Sequence, residues 1–221
     1  GMCDVVLCVA TDAVSTQDRT WQHGHRTEFC DPMGYVGPLN VFGLLSSIYE
    51  SRYGWPELAL GKLAVTQRRG ALLNERACKS LKKPLTLDDY LASRKVSDPL
   101  RMLDCVMRVD GAFAAVVTST ERARAMGVRT MVHPIAYRER HNVDPRREDP
   151  DLLRSGFAEI GPRVLADAGM RTSDLHMLQP YDDFTIALIL QLEQLGFCAA
   201  GQGGDFVREH EFGFDGDIPL N

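Results

Sequence analysis

Residues Phe184 to Leu195, FTIALILQLEQL, would carry apolar groups on nearly every side of a helix. A helix of that kind cannot rest on a surface, so the chain must wrap other elements around it, and a layered core with this helix in the middle is the simplest arrangement that does so. Its flanks are equally distinctive: Pro180, Tyr181, Asp182 and Asp183 precede it, and Gly196, Gly201, Gly203 and Gly204 follow. Backbone N–H groups at a buried helix start need acceptors, and Asp182 or Asp183 is expected to supply one as an N-cap. Gly196 is expected to close the helix, and the later glycines to permit a tight turn or a close backbone approach. Tyr181 falls on the turn from an expected strand, His176–Leu178, into this helix. Its hydroxyl would stand at the carboxyl end of a strand beside a positive helix terminus, where open α/β sheets bind ligands. The plainer alternative makes Tyr181 a packing residue and the two aspartates caps.

The rest of the chain reads as a mixed α/β protein. Asp4 to Ala10 is an apolar, valine-rich run suited to a strand covered on both faces. Thr11 to Gly37 reads as loop. Val41, Leu44, Leu45 and Ile48 recur at helical spacing after Pro38, and a second helix opens at Pro56, with Leu60, Leu63, Ala64 and Ala71 on one stripe. Thr86 with Asp89 resembles a capping box for a short helix ending at Ala92. Asp110-Gly111 marks a turn before a strand at Ala112–Val117. A helix at Glu121–Met126 is closed by Gly127, a further strand is expected at Val128–Tyr137, and helical residues run to Ala168, with Gly161-Pro162 as a kink or restart. This order places a helical insertion between the first two strands.

Composition narrows the function. With 44% hydrophobic and 25% charged residues in 221, the chain can bury a sizeable core, and its net charge of -5 gives no general attraction to phosphate backbones. Nucleic acid is therefore not the expected partner. No apolar run reaches the length of a membrane span, and the first residues lack the order of a signal peptide. The six cysteines, Cys3, Cys8, Cys30, Cys78, Cys105 and Cys198, form no CxxC pair and read as reduced thiols, which implies a cytoplasmic location. Cys3, Cys8 and Cys105 are expected in the core. His23 and His25 with Cys30 and Asp31 lack a fourth ligand at a diagnostic spacing, so they read as a polar loop and no metal site is expected. Nothing lifts His133 or His141 above a surface role.

Seven stretches taken in order, RYGWPELA at Arg52, SRKVSDPL at Ser93, VDGAFAAVV at Val109, PYDDFT at Pro180, LEQLGFC at Leu192, GQGGDFV at Gly201 and DIPLN at Asp217, resemble the sterol-carrier-protein type of thiolases and the thiolase-like lipid-transfer proteins. The resemblance implies a thiolase-like layered α/β fold, incomplete here, with mixed sheets, a central buried helix and a helical loop-domain insertion. Residues 1–120 would be the end of the N-terminal half, with the insertion at about 31–100, and 121–221 the beginning of the C-terminal half. It also implies acyl-CoA thioester substrates, with coenzyme A as part of the substrate and no separate cofactor, and a homodimer. The family's nucleophilic cysteine would precede Gly1, and its late histidine or cysteine motif would follow Asn221. Tyr181 stands where thiolases carry asparagine or histidine, and in this it resembles the branch that cleaves steroid side chains by retro-aldol chemistry with a small OB-fold and zinc-ribbon partner.

Retro-aldol cleavage must remove a hydroxyl proton and stabilise a thioester enolate, and it needs no covalent cysteine. Tyr181, with Asp182 beside it, is the expected catalytic pair. The adjacent carboxylates should raise the phenol's pKa, which favours a donor, or a base acting with a second group, over an isolated phenolate. Arg68, Arg69, Arg76 and Lys79, within a cluster that includes Lys82 and Lys83, are the expected contacts for the CoA phosphates, with Gly203 and Gly204 as backbone approaches; a solvated basic face is the alternative for most of the cluster. Thiolytic acyl transfer is the competing chemistry, and a degenerate, non-catalytic acyl-CoA or partner-binding module is the competing function.

Overall fold

The computed structural model describes residues 3–13, 28–29, 31–35, 37–141 and 151–220. The chain divides into two compact units, Gly1–Gly24 with Met107–Ile135, and His25–Val106 with Ala136–Asn221.

The first unit is built on an antiparallel ribbon of β1 (Val5–Asp12) and β4 (Gly111–Thr118), in register from Val5 opposite Thr118 to Asp12 opposite Gly111. Asp4 closes one end of the ribbon, accepting from the Thr118 hydroxyl at 2.8 Å through its carbonyl and pairing with Arg122 at 3.2 Å. Arg122 belongs to α4 (Thr120–Ala125), which Ser119 caps and a left-handed Gly127 ends. Three expectations fail here. The strand at β1 is not covered on both faces: its side chains are exposed throughout, with Leu7 at 63% and its β4 partner Val116 at 61%. Nor is Val128–Tyr137 a strand; it runs without a ladder partner among the described residues, because β-branched composition favours extension but cannot supply a neighbour. Cys3 and Cys8 are likewise exposed rather than in a core.

The second unit holds the core, and α6 (Thr185–Gln194) runs through it. Ile186, Leu188 and Ile189 have no exposed surface, and Leu192 has 2%. Each such side chain stabilises the fold by about 1.5–3 kcal/mol relative to an exposed one. The helix ends as its sequence foretells: Gly196 adopts φ 89°, a conformation glycine reaches without a Cβ penalty, and Phe197 N–H donates to the Leu192 carbonyl at 3.0 Å. Around it pack α1 (Pro38–Tyr53), α2 (Glu57–Leu73), α5 (Phe157–Ala168) and α7 (Gly203–Glu209). The start of α1 is proline, as expected, and its Phe42 stacks on Phe184 with centroids 4.2 Å apart. Helix α5 is continuous through Gly161-Pro162, with no restart there, and ends at a left-handed Gly169. Glycine is required at position 161, since a Cβ there would lie 2.9 Å from Leu195 Cδ2.

Polar groups tie these helices together. Lys62 of α2 reaches the C-terminal end of α7, donating to the carbonyls of Arg208 at 3.1 Å and His210 at 2.8 Å, where a cation meets the negative end of the helix dipole. Glu193 of α6 accepts from Tyr49 Oη of α1 at 2.6 Å and from the Gly203 amide of α7 at 3.0 Å. A small helix α3 (Leu87–Ala92) begins with the expected capping box of Thr86 and Asp89 and is followed by a short antiparallel hairpin, β2 (Lys95–Ser97) and β3 (Leu100–Arg101). Arg101 anchors the hairpin to α2 by its 2.7 Å pair with Glu57, in which the guanidinium side chain is only 15% exposed. The strand expected at His176–Leu178 contracts to one parallel bridge between Leu178 and Leu220, with the Leu178 amide donating to the Pro219 carbonyl at 2.8 Å. No helix among the described residues is long and apolar enough to cross a membrane.

Candidate active site

The entry to α6 is where the sequence expectations converge, and its construction begins with Asp104. This carboxylate is 2% exposed. One oxygen accepts from Tyr90 Oη at 2.8 Å and from Thr185 Oγ1 at 2.5 Å, and the other accepts from the Arg101 amide at 2.7 Å. Burial raises its pKa, and these three donors oppose the rise. Thr185 is the first residue of α6, so Asp104 fixes the height of the helix start. A bridge between Cys105 and Phe184, and the Val106 amide donating to the Asp183 carbonyl at 2.7 Å, hold the preceding residues in line.

Neither aspartate caps the helix, which corrects the capping expectation. The N-cap residue is Phe184, which makes no side-chain capping bond. The carboxylates face other groups: Asp182 accepts from Gln67 Nε2 at 2.8 Å, and Asp183 accepts from the Tyr181 hydroxyl. The carboxylate touching the phenol is therefore that of Asp183 and not that of Asp182. Nothing in the sequence separates the two adjacent acids, because the direction each takes is set by which neighbour the turn brings near.

Tyr181 is 55% exposed, so its ring stands at the surface of the unit while its backbone is held from below by Gln191. The phenol pKa is pushed up to about 12, first by the hydrogen bond to Asp183, then by burial and the charges of Asp183 and Asp182. A phenol of that pKa is protonated at neutral pH, and its proton is already directed at a carboxylate. The Tyr181 side also borders an apolar cleft of about 220 Å³ floored by Leu188 and Leu192 of α6 and walled by Phe157 of α5.

Arg68 and Arg69 lie on the last turns of α2, directly after Gln67, which holds Asp182, and Arg76 and Lys79 follow the helix. Arg68 donates to the Lys83 carbonyl at 3.0 Å, and Arg69 pairs with Asp215 at 3.3 Å and sits over the Phe214 ring. Lys82 donates to the Ala71 and Asn74 carbonyls. Among the described residues Arg76 and Lys79 have no side-chain partner. Gly203 and Gly204 lie buried in the first turn of α7: a Cβ at 203 would come 2.7 Å from Ile189 Cγ2, and one at 204 would come 2.6 Å from Pro56 Cβ. Both glycines are thus explained by helix packing.

The thiols divide by surroundings. Burial raises Cys105 to about 11 and Cys198 to about 12, the latter with help from Glu193. Cys105 is half-buried instead of enclosed in the core. Cys78 moves the other way, its pKa lowered first by the hydrogen bond with Ser80 and then by the Leu81 and Ser80 amides. No group of three or more His, Cys, Asp or Glu side chains among the described residues could hold a metal. His23, His25 and Cys30 lie outside those residues; His133 and His141 are exposed.

A buried central helix entered through an acidic, tyrosine-bearing turn, with the chain's last residues bridged beside that turn, defines a thiolase-like α/β protein. Residues 139–221 match the family described as thiolase C-terminal domain-like. The chain is 32% identical over 201 residues to a steroid side-chain-cleaving aldolase of Thermomonospora curvata, the alignment covering 86% of this chain and 49% of that protein. It is 32% identical over 203 residues to a 17-hydroxy-3-oxo-4-pregnene-20-carboxyl-CoA lyase of Mycobacterium tuberculosis, covering 90% and 52%. Among solved structures, that of an Ltp2-ChsH2(DUF35) aldolase superposes with a TM-score of 0.80 at 28% identity, covering 99% of this chain and 58% of the other. The chain spans about half the length of the curated relatives it matches. Its fold is thiolase-like, and residues 139–221 carry the thiolase C-terminal-like domain.

Proposed function

We propose that this chain contributes the Tyr181 site of an acyl-CoA carbon–carbon lyase that cleaves a 3-hydroxyacyl-CoA of lipid or steroid origin by a retro-aldol reaction. The observation that carries the reading is the pairing of an exposed phenol with Asp183 at the entry of the buried helix. With its own hydrogen given to Asp183, the phenol oxygen has lone pairs free for a substrate hydroxyl. The substrate O–H proton passes to Tyr181 as the Tyr181 proton passes to Asp183. The electron pair of that O–H bond closes a carbonyl, the bond between the α and β carbons breaks, and its electrons enter the thioester enolate; the enolate then takes a proton at the α carbon from Tyr181 as Asp183 returns its proton to the phenol, which restores the starting pair. The relay suits a phenol with a pKa pushed up to about 12, which a free phenolate mechanism does not.

Coenzyme A would approach along the end of α2, where Arg76 and Lys79 are available to its phosphates and Arg68 and Arg69 could exchange their present partners for them. Asp182, held by Gln67, would add negative charge beside the phenol and connect this basic stretch to the entry. The two relatives named for side-chain aldolase and CoA lyase activity, and the aldolase whose structure matches, support the retro-aldol branch over thiolysis. The working unit is further proposed to be a homodimer that takes a small OB-fold and zinc-ribbon partner, a pairing that the two-protein aldolase structure supports, and its unpaired thiols suit a cytoplasmic location.

The test is the fate of the thioester. The chain, alone and with such a partner, is incubated with 3-hydroxyacyl-CoA substrates in the absence of free CoA, and products are resolved by mass. A shortened acyl-CoA with one equivalent of aldehyde or ketone is the expected result. Cleavage only when free CoA is added would mean thiolytic transfer, and tight binding without products would mean a non-catalytic binding module.

A further inference from the structure

The polar side chain of Gln191 lies in the middle of the buried helix, where an amide is costly unless fully paired. It is 5% exposed. Its Oε1 accepts from the Tyr181 amide at 3.0 Å, and its Nε2 donates to the Tyr181 carbonyl at 2.6 Å and to the Ala187 carbonyl at 2.9 Å. The two bonds to Tyr181 reproduce, from a side chain, the paired exchange that a neighbouring strand would make. The third fixes the amide itself, so both Nε2 hydrogens are used and the orientation of the group admits no exchange of N and O. Tyr181 lies outside every helix and ladder. What holds its backbone is therefore this one side chain, ten residues on.

We infer that Gln191 is the positioning residue for Tyr181, setting where the phenol stands relative to Asp183 and to anything bound beside it. The inference rests on the reading of Tyr181 as a reacting group only for its functional meaning; the clamp itself is a matter of geometry. Only an amide can perform it at this site. Glutamate would keep an acceptor for the N–H but oppose oxygen to two carbonyls, methionine would fill the space with no donor and no ordinary acceptor, and asparagine is one methylene too short to reach across the turn. The helix could tolerate any of these in its packing far better than the turn could tolerate losing its partner.

The experiment follows the tyrosine and does not depend on turnover. Protein labelled with 13C at tyrosine Cζ and with 15N is titrated by NMR as wild type and as Gln191→Met, with Tyr181→Phe to assign the resonance. In wild type, Tyr181 should titrate high, near about 12. In Gln191→Met its titration should fall by about a unit toward the ordinary value near ~10, because the ring no longer sits steadily against Asp183. The Tyr181 amide should exchange with solvent at least ~10-fold faster, with Tyr49 and Tyr90 unaltered. Unchanged titration and unchanged amide exchange at Tyr181 would overturn the assignment. If the methionine variant does not fold, Gln191→Leu, which likewise removes both the acceptor and the donor, carries the same two readouts, with the same expected directions and the same overturning result. Normal turnover in Tyr181→Phe would remove the functional reading and leave the clamp standing, so the two failures are distinct. In active protein the positioning role predicts a kcat lowered by ~10-fold or more in Gln191→Met with KM little changed.

Discussion

Thr185 donates its hydroxyl to Asp104 at 2.5 Å across a sequence separation of 81 residues, and this one bond sets the first turn of the central helix against the hairpin region that precedes it. Tyr90 and the Arg101 amide share the same carboxylate. Asp104→Ala would leave all three donors buried without an acceptor and should cost about 2–4 kcal/mol in a denaturant titration. Asp104→Asn should cost less, since its oxygen can still accept from Tyr90 and Thr185 while its NH2 faces the Arg101 amide. The pH dependence has a definite sign. Burial raises the folded-state pKa of Asp104, so its linkage stabilises the fold below the unfolded-state pKa and that contribution is lost as pH rises through the folded value. The stability advantage of wild type over Asp104→Asn should therefore shrink with rising pH across that window, and an advantage that grows would contradict the arrangement.

The Tyr181–Asp183 pair makes a separate prediction. Asp183 is the first cause of the raised phenol pKa, so Asp183→Asn should bring Tyr181 down from about 12 toward the ordinary value, while Asp182→Asn should move it much less. Titration of the tyrosine absorbance change, with Tyr181→Phe subtracted, checks both. Since the folded pKa lies above the unfolded one, the pair's contribution to stability is present below about ~10 and fades as pH rises through the folded value. A larger shift from Asp182→Asn would reverse the two roles.

Gly203 should be intolerant of any side chain for reasons of packing. A Cβ there meets Ile189 Cγ2 at 2.7 Å and Glu193 Oε1 at 2.8 Å. Gly203→Val is expected to lower stability by about 1–3 kcal/mol, read by thermal or denaturant melting. Adding Ile189→Ala makes room and should recover part of that loss. A Gly203→Val protein with wild-type stability but weakened acyl-CoA binding would instead assign this glycine to the ligand.

Thiol reactivity should follow the local fields. Alkylation at neutral pH followed by peptide mass analysis is expected to label Cys78 before Cys105 and Cys198, because only Cys78 has its pKa lowered while burial holds the other two at about 11 and about 12. Prior labelling of Cys198 would mean that the end of α6 opens far more readily than its packing implies.

How far the sequence speaks for the fold differs from one element to the next. The central helix, its stop at Gly196 and the capping box at Thr86 were legible because each is specified by residues within a turn of one another. The expected strand at Val128–Tyr137 was not a strand because an apolar, β-branched run encodes an extended backbone and says nothing of a partner. Burial of β1 failed in the same way. At the site, the composition of the turn singled out Tyr181 but not its partner: Asp182 and Asp183 are equivalent as letters, and the turn alone decides that one meets Gln67 and the other the phenol. Asp104 carried no signal of its role, lying in a short turn, Met102–Asp104, whose importance arises from contacts with Tyr90 and Thr185. Gln191 did carry one. A lone amide on the buried face of an otherwise apolar helix has to be paired with something, and asking what it pairs with leads directly to Tyr181.

The most direct test of the central claim is the turnover of Tyr181→Phe against wild type on a 3-hydroxyacyl-CoA, measured with the partner protein present and with the melting temperature of both forms recorded. Loss of kcat by about 10²–10⁴-fold with unchanged melting is the predicted result, since the variant keeps the ring and removes only the hydroxyl that moves the proton. Turnover within a few-fold of wild type would contradict it and return Tyr181 to a packing role.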